Sequence, residues 1–65
     1  MNHGLFDVPL DEQIACVARE IQMRELVYQR RVLERKMTQK TADKEITHMR
    51  AVLETLKSVK ENASA

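Results

Sequence analysis

Ala42, Ile46, Met49, Leu53 and Leu56 recur at spacings of four, three, four and three residues. That period fits an α-helix with one apolar stripe and no other regular structure. Thr38 stands where an N-cap is needed, with Met37 and Ala42 placed as a hydrophobic staple around it. Val52 and Val59 widen the stripe on one side, while Lys44, Thr47, His48, Arg50 and Ala51 point elsewhere. The spacing predicts a helix over 38–61 and a disordered tail over 62–65. Upstream, 12–34 holds neither Gly nor Pro and reads as a first helix about 35 Å long. Asp11 is its expected N-cap, Leu10 and Ala15 its staple, and Glu12 a favourable first-turn charge. Residues 1–10 lack periodicity and read as a flexible leader, whose Leu5, Phe6 and Val8 are available to fold back on apolar surface.

A turn over 35–37 leaves the two helices no option but to run antiparallel, so facing residues should have numbers summing to about 74. Val32 then meets Ala42, Tyr28 meets Ile46 and Ile21 meets Leu53, with Val17 near Leu56 and Ile14 near Val59. Nearly every rung is apolar against apolar. The middle rung breaks the pattern, setting Arg24 and Glu25 against Met49 and Arg50, where Glu25 and Arg50 are placed to pair. The expected fold is all-α, an antiparallel two-helix hairpin that dimerises into a four-helix bundle.

The dimer is expected because 65 residues bury too little surface for comfortable independent stability. The single cysteine, Cys16, closes no intrachain disulfide, and two histidines, His3 and His48, make no ligand set. No metal or cofactor is therefore expected. No Lys or Arg precedes a long apolar run at the N-terminus, and no stretch approaches the roughly 20 apolar residues of a membrane span. The expected location is the cytoplasm of a host cell. A net charge of +1 gives no global attraction to nucleic acid or anionic lipid.

Chemistry has few footholds. A Cys16–His48 dyad is the one catalytic arrangement the composition permits, but the register separates the two by roughly 15 Å along the hairpin. No Gly-rich phosphate loop or carboxylate pair across a cleft is present, so an enzyme is not expected. Positive charge gathers at the tip, where Arg30, Arg31, Arg35, Lys36, Lys40 and Lys44 outnumber Glu34 and Asp43. Without interleaved aromatics this patch reads as a solvated tip or a contact for an acidic protein surface, and nucleic acid is not the expected partner.

Helix one carries a second apolar set. Its core stripe of Ile14, Val17, Ala18, Ile21, Tyr28 and Val32 leaves Met23, Leu26, Val27 and Leu33 on other faces. A helix apolar on more than one side is expected to be covered on more than one side, so these four are the expected dimer or partner interface.

The run Arg19-Glu20-Ile21-Gln22-Met23-Arg24-Glu25-Leu26-Val27-Tyr28, followed by Lys36-Met37-Thr38, Ala42-Asp43, Glu45-Ile46, Met49 and Ala51-Val52-Leu53, resembles a family of short helical-hairpin proteins encoded by bacteriophages and prophages of proteobacteria. The likeness covers roughly residues 11–57 and implies origin and shape, with no catalytic or binding residues to carry over. Family members often place Gly at the turn, where this chain has Arg35, and Pro where it has Gln29. The first departure asks a residue with a Cβ to take up a left-handed conformation; the second leaves helix one uninterrupted. The resemblance, joined to the surplus apolar surface, implies a non-catalytic protein that binds and inhibits or modulates a host protein. The alternative is an accessory nucleic-acid-associated or phage assembly protein using the basic tip.

Overall fold

The computed structural model describes residues 8–64, which form two α-helices, α1 (Leu10–Leu33) and α2 (Gln39–Ser64), packed as an antiparallel hairpin. The expected fold-back of Leu5 and Phe6 lies outside the described residues.

Helix α1 starts two residues before the expected Glu12, and Asp11 is not its cap. Pro9 occupies the N-cap position with φ −58° and ψ 150°, and no side chain caps the end. The Pro9 carbonyl accepts from the amides of Glu12 and Gln13, both at 3.1 Å. The pyrrolidine ring presets φ close to the helical value, so the backbone enters the helix without a side-chain cap. Asp11 is displaced into the first turn beside Glu12, where both carboxylates face the positive end of the helix dipole. The expected Leu10–Ala15 staple shifts with the cap: Val8 and Gln13 now hold those positions, and Gln13 Nε2 donates to the Val8 carbonyl at 2.8 Å.

At its other end α1 closes in a Schellman turn. The Lys36 amide donates to the Arg31 carbonyl at 2.8 Å and the Arg35 amide to the Val32 carbonyl at 3.0 Å. Arg35 takes the left-handed position of that motif, with φ 61°. Thr38 caps α2 as its position requires: its Oγ1 accepts from the Thr41 amide at 3.1 Å and donates to Thr41 Oγ1 at 3.0 Å. Helix α2 continues to Ser64, three residues past the expected end at Glu61. Nothing in Asn62-Ala63-Ser64 breaks a helix, and Ala63 has the strongest helical preference of any residue type.

The register follows the expected sum. Arg50 Nη2 donates to Glu25 Oε2 at 2.5 Å, and near the open end Lys60 meets Asp11. Along the seam Ile21 and Ala42 are buried. Ile14, Val17, Ala18, Tyr28 and Val32 on α1, and Ile46, Met49, Leu53 and Leu56 on α2, are only half-buried. Two helices side by side make a single layer, and the molecule measures 44 × 28 × 14 Å. Its thinnest dimension is little more than one helix with side chains, about 10–12 Å. Stable domains stack at least two layers on a shared core. A radius of gyration of 14.9 Å against about 11 Å for a compact chain of this length gives the same picture.

Candidate interaction surface

Helical geometry divides the hairpin into three surfaces. At about 100° per residue, Glu25 lies about 40° to one side of Ile21 on α1, and Arg50 about 60° to the same side of Leu53 on α2. In an antiparallel pair equal-handed offsets fall on one edge, and the Glu25–Arg50 ion pair fixes that edge. It is polar. Toward the tip it opens into a shallow groove of about 490 Å³, lined by Glu25, Tyr28, Gln29, Gln39, Ala42, Asp43, Ile46 and Thr47. Gln39 Nε2 donates to Asp43 Oδ1 across one turn at 2.9 Å. Neither Cys16 nor His48 lines the groove, and both are exposed. Among the described residues no three of His, Cys, Asp and Glu group as metal ligands.

The second surface is the outer back of α1. Met23, Leu26 and Leu33 are 58%, 70% and 78% exposed. They lie about 120° to 200° from Ile21, out of reach of α2. Three large apolar side chains on one helix back is more than scattered surface apolars require, and exposure of this extent leaves most of each side chain's transfer free energy unrealised, about 1.5–3 kcal/mol apiece on full burial.

The third surface is the face opposite the polar edge. Val27, the fourth residue of the expected interface, sits here rather than with Met23, Leu26 and Leu33. It lies about 120° from Ile21 in the opposite sense to Glu25. Val52 and Val59 share its side at about 100° and 120° from Leu53, so they do not close the seam as the sequence spacing suggested. Val27, Val52 and Val59 are each a little under half exposed. Between them Arg24 Nε donates to Glu20 Oε1 at 2.7 Å, one turn apart on α1. That hydrogen bond is the main reason the Arg24 guanidinium is held above its ordinary pKa. Sequence reasoning missed Val52 and Val59 as surface residues, although their angular offset from Leu53 was available to signal it.

At the tip Arg30, Arg31, Arg35, Lys36, Lys40 and Lys44 are all exposed, and Lys36 meets Glu34 at 3.6 Å. Arg30 and Lys44 lie about 180° from Ile21 and Leu53, on the outer backs of the two helices, and none of the six lines the groove beside the tip.

Compared with protein-family models, with curated proteins and with solved structures, the chain finds no match. Among the described residues no helix is long and apolar enough to cross a membrane.

Proposed function

We propose that this chain is a non-catalytic binding module that acts as a homodimer in a four-helix bundle and modulates a second protein held against the apolar back of α1. The observation that carries the reading is the exposure of Leu26 and Leu33, on a helix surface that α2 does not reach. Shallow burial supports the dimer: among the described residues of the seam Ile21 and Ala42 are buried, and the other apolar side chains are only half-buried. A non-catalytic role is favoured because the one groove described carries neither the thiol nor the imidazole. That the modulated protein belongs to a host rests on the phage resemblance alone.

Light scattering across a concentration series tests the dimer, and binding of a tagged wild-type chain against a Leu26→Glu chain tests the partner surface. A chain that stays at 7.6 kDa at high micromolar concentration and melts at a concentration-independent midpoint would overturn the dimer.

A further inference from the structure

The homodimer has two apolar surfaces to choose from, and the charges separate them. On the face opposite the polar edge, α1 carries Val17, Glu20, Arg24 and Val27, and α2 carries Glu45, Met49, Val52, Leu56 and Val59. The helix midpoints fall near Gln22 and Val52. A two-fold axis lying in this face, perpendicular to the helices at those midpoints, gives full-length overlap of two hairpins with their tips at opposite ends. Facing positions on α1 then sum to about 44, and on α2 to about 104. Glu20 of each copy faces Arg24 of the other, and Val17 faces Val27. On α2, Val52 meets Val52 of the second copy, and Met49 lies beside Leu56. The pattern is self-complementary in charge about Glu20 and Arg24 and in apolarity at Val17–Val27, Val52–Val52 and Met49–Leu56, as an isologous interface requires, while Val59 falls opposite Glu45 of the second copy at its edge.

The competing arrangement stacks the same faces with tips together. It gathers six basic side chains from each copy at one end, a like-charge cluster that the antiparallel arrangement avoids. The back of α1 is a poorer self-interface: its apolar residues are interleaved with Arg19 and Arg30, and any two-fold that sets Met23 against Leu26 also sets those two arginines against each other.

We infer that a second copy of this chain covers the face bearing Val17, Val27, Val52, Leu56 and Val59, antiparallel about a two-fold near Gln22 and Val52, leaving Met23, Leu26 and Leu33 of both copies outward for the partner protein. The inference rests on the homodimer reading above and assigns its interface.

Two experiments locate the axis. In a Cys16→Ser background, Val52→Cys should cross-link to a covalent dimer in near-complete yield under oxidised glutathione, with Leu26→Cys giving several-fold less. Mixing Glu20→Arg chains with Arg24→Glu chains is independent of any cysteine. Each variant alone sets like charges across the axis, so its dimer should weaken at least tenfold. The mixture, with two complementary pairs, should form heterodimers at wild-type concentration in native mass spectrometry. Dimers that cross-link through Leu26→Cys and not Val52→Cys, or swap variants that dimerise alone as well as when mixed, would overturn the assigned face while leaving the homodimer standing. A wild-type chain that is monomeric throughout would sink both.

Discussion

Glu25 and Arg50, one per helix, are joined by a hydrogen-bonded ion pair whose residue numbers sum to 75, one away from the rung expected from a three-residue turn. The pair marks register more than it stabilises. Both side chains are substantially exposed, so Coulomb attraction is largely offset by solvation and by the entropy of holding two long side chains. Glu25→Gln or Arg50→Gln should destabilise by under about 1 kcal/mol, and raising salt should shrink even that difference. Chemical denaturation at two ionic strengths measures it; a loss several times larger would mean the edge is desolvated in an assembly.

Arg35 stores strain at the turn. Its φ of 61° places a Cβ in the left-handed region, where glycine has no such penalty. Arg35→Gly should therefore stabilise the folded chain by up to about 1 kcal/mol, partly offset by the greater freedom of glycine in the unfolded chain. Thermal unfolding at fixed protein concentration gives the sign. A lower midpoint would show that the Arg35 side chain makes a contact worth more than the strain.

Much of the fold is legible in the sequence because both helices carry local signals for it. The spacing from Ala42 to Leu56, the Thr38 cap and the turn before it fix α2 and the antiparallel register, whereas the left-handed Arg35 is signalled only by the resemblance to chains that place Gly there. The start of α1 is not legible in the same way: Asp11 has the better capping side chain, but Pro9 is already set at a helix-compatible φ, and the helix begins there. The end of α2 depends on the absence of any breaker, which sequence signals mark poorly. The candidate surface is legible for Met23, Leu26 and Leu33, whose angles put them behind α1. Val52 and Val59 are ambiguous in sequence, since an offset of about 100–120° closes a seam in a thick bundle and lies open in a single layer.

The basic tip should be dispensable for folding. Arg31, Arg35 and Lys36 are exposed, so replacing all three with Gln should leave helical circular dichroism intact and shift the midpoint little. The same variant tests the nucleic-acid alternative. If the tip contacts phosphates, wild-type binding to duplex DNA should fall steeply with salt and the triple variant should flatten that slope by about three counterions. Equal, negligible binding by both proteins is the expected result.

The back of α1 and the seam should respond to the same substitution in opposite ways. Ile21 is buried at the middle of the seam and Leu53, on the facing rung, is half-buried, so Ile21→Glu or Leu53→Glu sets an unpaired carboxylate into the apolar seam of a hairpin with little core to spare and should unfold the chain. Leu26 is 70% exposed and reaches no residue of α2, so Leu26→Glu should leave helicity and unfolding midpoint within about 0.5 kcal/mol of the parent. Its effect should fall on binding alone: against a desolvated partner surface an unpaired carboxylate costs several kcal/mol, enough to remove capture of the partner at micromolar concentration. Adding Met23→Glu should deepen the loss without unfolding. Dimer formation should survive both changes, because the two-fold interface lies on the Val27 and Val52 face. A Leu26→Glu chain that folds, dimerises and still binds every protein the parent binds would make the back of α1 ordinary surface and move the search for the partner site to the tip.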